Sequence, residues 1–180
     1  EKLSSSEKTK NALEELALML GMKNIPEYIE SYDISHTAGS YNVAGMIVFK
    51  DGRPYKKAYR RFAIKGFVGQ DDYASMEEVL RRRFTEYYNH KNDNEEYGFG
   101  KLPDLILLDG GKGQLSSVLE ILAGTAFRDV PVFGMVKDSK HRTRAITAGG
   151  EEIAINDNRS VFTFIADIQE EVHRFAIGYH

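Results

Sequence analysis

A chain of 180 residues with 42% hydrophobic residues is long enough for one domain with a substantial core, and it has no apolar stretch of transmembrane length. The absence of cysteine excludes disulfides and thiolate metal sites and is typical of a reducing compartment. The formal net charge of −3 is not that of a strongly basic nucleic-acid-binding domain. Residues 1–10 are polar and lack the apolar core of a signal peptide, so we expect a cytoplasmic protein with no membrane partner.

The first 25 residues predict a helical lead-in. Four apolar residues share one helical face, namely Leu13, Leu16, Ala17 and Leu20. Gly21 is a suitable residue for a helix end, and Pro26 then interrupts the pattern. We therefore predict a helical linker over residues 1–25 and one domain over residues 26–180.

The next segment predicts a three-stranded antiparallel meander. Strand patterns run from Tyr28 to Ser35, from Val43 to Lys50 and from Tyr55 to Lys65, with a hairpin turn at Asp51-Gly52. Asp33 falls inside the first strand, where aspartate is uncommon. Asp33 either begins a turn or has a functional role. Because the turn residues come several positions after it, a functional role is favoured.

A helix is predicted after residue 70, with Met76, Leu80 and Phe84 on its apolar face. Asp72 lies near its start, where the helix dipole favours an acidic residue. A role in capping is therefore the simpler interpretation of Asp72, and a functional role is the alternative. The charged segment 89–100 that follows is predicted to be a loop.

Basic residues are concentrated in three places: the third strand, the helix that follows it, and the loop 137–144. Such residues commonly form a solvated surface, and they can also bind a phosphate backbone. The candidates for DNA binding are Lys56, Arg60, Arg81, Arg82, Arg83, Lys140, Arg142 and Arg144.

The segment from Leu102 to Leu115 predicts the centre of the domain. Leu105–Leu108 is typical of a strand buried on both faces, and Asp109 ends it before a glycine-rich turn and a helix. A carboxylate at the carboxyl end of such a strand is well placed for metal binding, although it can also simply cap the turn. The glycine spacing around Lys112 does not match a nucleotide-binding P-loop, so Lys112 is either a solvated residue or an aid to catalysis.

The remaining residues predict a strand over Pro131–Val136, a small hairpin over residues 145–155 and a closing helix from about Ser160. The first of these strands forms a βαβ unit with the Leu105 strand. His173 lies at the border of the apolar face of the closing helix. A histidine in such a position is most simply a half-buried structural residue.

This element order is that of an RNase H-like fold, an α/β fold with a mixed five-stranded sheet flanked by helices. Nucleases of this fold use a carboxylate inside the first strand, a second at the end of the fourth and a third ligand on the last helix. Asp33, Asp109 and His173 occupy those three places. Oxygen ligands suit Mg²⁺ or Mn²⁺, and imidazole is acceptable to Mn²⁺. We therefore predict that these three residues are catalytic and bind Mg²⁺ or Mn²⁺.

The sequence also resembles the C-terminal endonuclease half of the UvrC excinuclease family. The resemblance rests on the segments Tyr32–Thr37, Tyr59–Phe62, Gly69–Met76, Arg81–Phe84, Pro103–Leu115 and Glu171–Ile177. It implies a domain that cuts damaged double-stranded DNA on the 5′ side of a lesion, with Asp33, Asp109 and His173 as catalytic residues. Asp72 matches a further acid of the family. We add Lys112 and His36 to Asp72 as supporting residues.

The resemblance also implies partners. The family's 3′-cutting module and helix-hairpin-helix motifs are not recognisable here, so contacts with UvrB, and with UvrA upstream, would belong to other parts of the protein. The alternative is a catalytically silent RNase H-like module that only binds DNA or a partner. Loss of Asp33 or Asp109 would indicate such a module, and both are present. A phosphatase using Asp109 as nucleophile would need an acid two residues later, where Gly111 stands.

Overall fold

The computed structural model describes residues 4–36, 41–65, 71–110, 112–148 and 151–178, with only the backbone of residues 112–114. Within these ranges one sheet contains eight strands. The strands are β1 (Tyr28–His36), β2 (Asn42–Lys50), β3 (Arg53–Pro54), β4 (Arg60–Ile64), β5 (Leu105–Asp109), β6 (Val132–Lys137), β7 (Thr143–Thr147) and β8 (Glu152–Ala154). The helices are α1 (Ser5–Met19), α2 (Asp72–His90), α3 (Lys112–Leu122) and α4 (Arg159–Ile177).

The sheet is mixed, as predicted. Its order is β3-β2-β1-β5-β6-β7-β8, and β4 also pairs with β2. The central pairs β1–β5 and β5–β6 are parallel, whereas the other pairs are antiparallel. The chain therefore has the predicted α/β architecture, with α3 as the connection between the parallel strands β5 and β6.

The number of strands exceeds the predicted five. The third strand, predicted from Tyr55 to Lys65, is a strand only over β4, because a 3₁₀ turn occupies Lys56–Ala58. The two-residue strand β3 precedes it and was not predicted. The small hairpin predicted over residues 145–155 joins the main sheet because β7 pairs with β6. The Asp51-Gly52 hairpin is present, and both residues have positive φ angles, of 52° and 80°.

The two faces of the sheet carry separate apolar cores. One core contains Tyr28 and Tyr32 of β1 and is covered by α2 and α3. The other contains Ile29 of β1 and is covered by α1 and α4. Successive residues of a strand point to opposite faces, so odd-numbered residues of β1 face α4 and even-numbered residues face α2.

The predicted N-terminal helix is present as α1. It packs against α4 and buries Ala12, Leu13 and Leu16 in the second core. It ends near Gly21, whose φ angle is +70°. The division of the chain at residue 25 stays a prediction.

Candidate metal centre

Asp33 and Asp109 are neighbours on parallel strands. Tyr32 of β1 is paired with Leu108 of β5, so the next residue of each strand is an aspartate at the same level of the sheet. Tyr32 and Leu108 belong to the α2 core, and Asp33 and Asp109 therefore point to the opposite face, toward α4. Both side chains are largely buried, with 11% and 6% of their surface exposed.

His173 reaches these carboxylates from α4. This helix begins after Asn158, whose side chain accepts a hydrogen bond from the Val161 amide. Its buried face contains Val161, Ile165, Ile168, Val172 and Ala176. His173 lies beside that face, with 54% of its side chain exposed, and its Nδ1 is 3.0 Å from Oδ2 of Asp33. The residue interpreted as structural from its position thus contacts the strand carboxylate directly.

Asp33, Asp109 and His173 form a cluster with the composition of a metal site. Each offers one ligand atom, and these atoms lie within 4.8 Å of one another. Ligands of a single Mg²⁺ lie about 3 to 4 Å apart, given bonds of about 2.1 Å, so small side-chain movements would suffice to bind an ion. The structure therefore brings together the three residues predicted for metal binding.

Gln169 and Lys137 complete the surroundings of Asp109. Gln169 Nε2 donates to Oδ1 of Asp109 at 3.0 Å, and the hydroxyl of Thr143 donates in turn to Gln169 Oε1. Lys137 Nζ lies 3.0 Å from the other carboxylate atom, Oδ2. Oδ2 is buried and has no aligned hydrogen-bond donor among the described residues. The Lys137 ammonium therefore compensates the charge of this buried oxygen.

Sequence reasoning did not identify Gln169 or Lys137 as residues of this site. Lys137 ends β6, which lies beside β5 in parallel, so the rule that selected Asp109 at a strand end also applies to it. Gln169 precedes His173 by one helical turn and therefore lies on the same side of α4. Each position is a local hint, but only the pairing of β5 with β6 and the docking of α4 show that both side chains reach Asp109.

The charges of the cluster act on Asp33. Burial raises the pKa of this carboxyl, and the negative charge of Asp109 raises it further, to about 6. The hydrogen bond from His173 and the charge of Lys137 act in the opposite direction. Asp33 therefore releases its proton near neutral pH, and a divalent cation that replaced this proton would relieve the repulsion between the carboxylates.

His36 and Asp72 form a second pair, separate from this cluster. His36 Nε2 lies 2.7 Å from Oδ1 of Asp72, and its Nδ1 lies 2.8 Å from Oδ1 of Asn42. His36 has an even number and points to the α2 side of β1. Asp71, not Asp72, caps α2, because its Oδ1 accepts a hydrogen bond from the Ala74 amide. The capping role considered for Asp72 thus belongs to its neighbour.

The structure gives less information on Lys112. This residue begins α3, three residues after Asp109. Its side chain lies outside the described part of the chain.

Most of the predicted DNA-binding residues lie at the surface. Those that are exposed or half-buried are Lys56, Arg60, Arg81, Arg82, Lys140, Arg142 and Arg144. Several already have protein partners, since Arg82 donates to the Ala63 carbonyl and Arg144 forms a bidentate pair with Glu152.

Arg83 is an exception, and its assignment to the DNA surface was wrong. The residue is fully buried, because it falls on the same face of α2 as Met76, Val79 and Leu80. Its guanidinium binds Glu30 through two hydrogen bonds, of 2.8 and 3.1 Å, and also donates to the carbonyls of Phe99 and Lys101. Arg83 therefore anchors the segment after α2 to β1.

Residues 17–177 match the family model of the UvrC RNase H endonuclease domain. The chain belongs to this family. The resemblance to UvrC is thereby confirmed, together with the RNase H-like fold.

Relatives of this UvrC domain support the assignment. It is 46% identical to UvrABC system protein C of Clostridium perfringens, with 99% of this chain and 30% of the relative covered. It is 47% identical to UvrABC system protein C of Caldicellulosiruptor saccharolyticus, with 94% of this chain and 27% of the relative covered. The chain thus spans less than a third of the length of these relatives.

Among solved structures, the UvrC domain is similar to Ciona intestinalis Endonuclease V in complex with DNA, at 13% identity and a TM-score of 0.45, over 76% of this chain and 59% of that one. It is also similar to human ENDOV, at 10% identity and a TM-score of 0.39, over 94% of this chain and 99% of that one. No helix in the described ranges is long and apolar enough to span a membrane.

Proposed function

We propose that this chain is a metal-dependent endonuclease domain that makes the 5′ incision beside a DNA lesion during nucleotide excision repair. The proposal depends above all on the convergence of Asp33, Asp109 and His173, whose ligand atoms lie within 4.8 Å of one another. Family membership and the names of the relatives support an endonuclease of the UvrABC system.

Asp33, Asp109 and His173 would hold Mg²⁺ or Mn²⁺. When bound, such an ion polarises the phosphodiester and lowers the pKa of a water molecule. The donor set fits this role, because two carboxylates suit either ion and the imidazole suits Mn²⁺. The ligand atoms of the three residues lie within 4.8 Å of one another, which is close enough for one ion to be shared after small side-chain movements.

The residues around the ligands orient them. Gln169 donates to Oδ1 of Asp109 and thereby restricts the orientation of this carboxylate. Lys137 supplies a positive charge that offsets the two carboxylates and is placed to meet a phosphate at the mouth of the site. We propose a related supporting role for Lys112 at the start of α3, and for the pair of His36 and Asp72 at the end of β1.

We further propose that damaged double-stranded DNA is the substrate. Its phosphates would be bound by the exposed or half-buried basic residues Lys56, Arg60, Arg81, Arg82, Lys140, Arg142 and Arg144. With a chain of net charge −3, this binding should be weak and strongly salt-dependent. Contacts with UvrB, and with UvrA earlier in the reaction, belong in this proposal to other parts of the full-length protein.

The test combines calorimetry and an incision assay. Mn²⁺ binding is measured for the parent, for Asp109→Ala and for Asp157→Ala, which removes an exposed carboxylate before the other end of α4. We expect Asp109→Ala to lose Mn²⁺ binding and Asp157→Ala to keep it. In the full-length protein, Asp109→Ala should abolish 5′ incision of a lesion-containing duplex while 3′ incision continues. Undiminished 5′ incision by Asp109→Ala would overturn the proposal and favour the catalytically silent module.

A further inference from the structure

The chain around the start of β4 contacts α4 close to His173. The Tyr59 hydroxyl donates to Oε2 of Glu171 at 2.7 Å, and its ring meets that of Phe175 edge-on, with 5.0 Å between centroids. The guanidinium of Arg61 lies 3.8 Å from the centre of the Phe175 ring and donates to the Phe175 carbonyl at 3.3 Å. We call Tyr59 and Arg61 the α4 clamp.

The clamp contacts the side of α4 that faces away from the metal cluster. Glu171 and Phe175 lie two residues before and two residues after His173. At about 100° per residue, each points about 200° away from His173. The clamp therefore contacts the side of α4 opposite His173, whose imidazole faces Asp33.

The sheet contacts the same turn of α4 through strand β2. Gly45 of β2 is paired with Asp33 on one side and with Arg61 on the other, so one row across three strands joins a predicted ligand to the clamp. A Cβ atom at Gly45 would lie 3.1 Å from atoms of Ala176 and Phe175. The helix therefore lies directly on the backbone at this point, and the side chains of the clamp support it on the side away from the site.

Glu171 gives the clamp a fixed anchor. Its carboxylate accepts hydrogen bonds from Nε and Nη2 of Arg174, at 3.0 and 2.7 Å, in addition to the bond from Tyr59. Only 14% of the Glu171 side chain is exposed, whereas 65% of Arg174 is exposed. Tyr59 is thus the partner that ties Glu171 to the body of the domain.

We propose that Tyr59 and Arg61 are positioning residues that keep His173 within reach of Asp33 and Asp109. This inference depends on the proposed function of that cluster. Each residue acts through α4 rather than on the reacting groups, and a displacement of about 1 Å at a reacting group can lower a rate by about 100-fold.

The test uses variants that remove single contacts. Tyr59→Phe removes only the hydroxyl, and Arg61→Lys keeps the charge but loses the planar stacking and donor geometry of arginine. Tyr55→Phe is the matched control, because Tyr55 packs on Tyr97 in the other core. We expect Tyr59→Phe and Arg61→Lys to lower kcat for 5′ incision in the full-length protein by about 10- to 100-fold. KM for DNA should not change, and Mn²⁺ should bind more weakly.

Two further measurements distinguish positioning from a general loss of structure. Glu171→Gln keeps an acceptor for Tyr59 and should retain most of the activity. Amide hydrogen exchange should become faster in residues 172–176 of Tyr59→Phe, and it should stay unchanged in β1 and β5. Tyr55→Phe should match the parent in every measurement.

The outcomes separate this inference from the proposed function. If Tyr59→Phe and Arg61→Lys keep the parent kcat and Mn²⁺ affinity while Asp109→Ala is inactive, the inference is wrong and the proposed function stands. If Arg61→Lys keeps the parent kcat and Arg61→Ala only raises KM, Arg61 contacts DNA instead. If Asp109→Ala remains active, the proposed function itself fails.

Discussion

Nδ1 of His173 lies 3.0 Å from Oδ2 of Asp33, although 140 residues separate the two in the chain. The contact joins the closing helix to the first strand and places the imidazole beside a carboxyl whose pKa is raised to about 6. The position of α4 against β1 determines whether His173 can contact Asp33. It therefore affects the chemistry of the cluster directly.

The first prediction concerns pH and stability. The pKa of Asp33 is raised from 3.8 to about 6 in the folded protein. Because the folded state holds this proton more tightly, the contribution of Asp33 to stability is complete below pH 4 and is lost as the pH rises through about 6. Asp33→Asn should therefore raise the free energy of unfolding of the metal-free chain at pH 7.5 by about 2 to 3 kcal/mol, and should have little effect at pH 4.

Urea denaturation in the presence of a chelator, at both pH values, measures this difference. Asp157→Asn is the control, since its exposed carboxyl should give the same small effect at each pH. A loss of stability in Asp33→Asn at pH 7.5 would contradict the predicted repulsion between Asp33 and Asp109.

The second prediction concerns Gly45→Ala. The new methyl group would lie 3.1 Å from atoms of Ala176 and Phe175, so α4 must move away from β2. We expect a loss of about 1 to 3 kcal/mol in stability, together with weaker Mn²⁺ binding because His173 moves with the helix. Gly124→Ala is the control, because nothing lies within 4 Å of the added atom. Unchanged Mn²⁺ affinity in Gly45→Ala would show that the site tolerates a displaced helix.

The third prediction concerns Lys137. Removing its charge in Lys137→Met should slow 5′ incision while Mn²⁺ still binds, because the three proposed ligands remain. The pKa of Asp33 should rise above about 6, since the positive charge of Lys137 lowers it in the parent. Lys23→Met, at an exposed position before β1, should behave as the parent. Loss of Mn²⁺ binding in Lys137→Met would instead show that Lys137 holds Asp109 in place.

Lys112→Met offers a comparison within the same experiment. We expect it also to slow incision without loss of the metal. An unchanged rate at saturating Mn²⁺ and DNA would make Lys112 a solvated residue of the turn.

The fourth prediction separates two neighbouring arginines. Arg81→Ala should weaken DNA binding and reduce the slope of log affinity against log salt concentration by about 1, with little effect on stability. Arg83→Met should instead lower the free energy of unfolding by about 3 to 5 kcal/mol, because it leaves the buried carboxylate of Glu30 without its partner.

Chemical denaturation and salt titrations of DNA binding test both variants. Replacing Glu30 as well, in Glu30→Gln with Arg83→Met, should restore part of the stability. A decrease in the salt slope for folded Arg83→Met would be evidence that this arginine reaches DNA after all.

The sequence allowed the local features of the fold to be predicted, because they depend on neighbouring residues. A run of strand-forming residues indicated β1, and the Asp51-Gly52 pair indicated the hairpin between β2 and the strand after it. The burial of Arg83 was not predictable in the same way, because its partner Glu30 lies 53 residues earlier. The spacing of Arg83 from Met76 and Leu80 places it on the buried face of a helix. Its charge nevertheless suggested an exposed residue.

The same distinction holds for the site. Asp33 and Asp109 stand out locally, as an acid in a strand and an acid at a strand end. Lys137 and Gln169 are ordinary residues for a strand end and a helix, and only the pairing of β5 with β6 and the docking of α4 bring them to Asp109. Their role depends on contacts between distant segments, which single-residue patterns do not contain.

The position of α4 late in the chain also affects synthesis of the protein. Strands β1 and β5 can pair once residue 109 has left the ribosome, but the imidazole of His173 becomes available only later. Before that, Ile29, Ile47 and Leu107 lack the cover of α4, so a nascent or truncated chain exposes an apolar face of the kind that promotes aggregation and chaperone binding. An incomplete chain therefore carries both carboxylates but lacks His173. The proposed DNA-cutting activity would begin only when α4 has packed against the sheet.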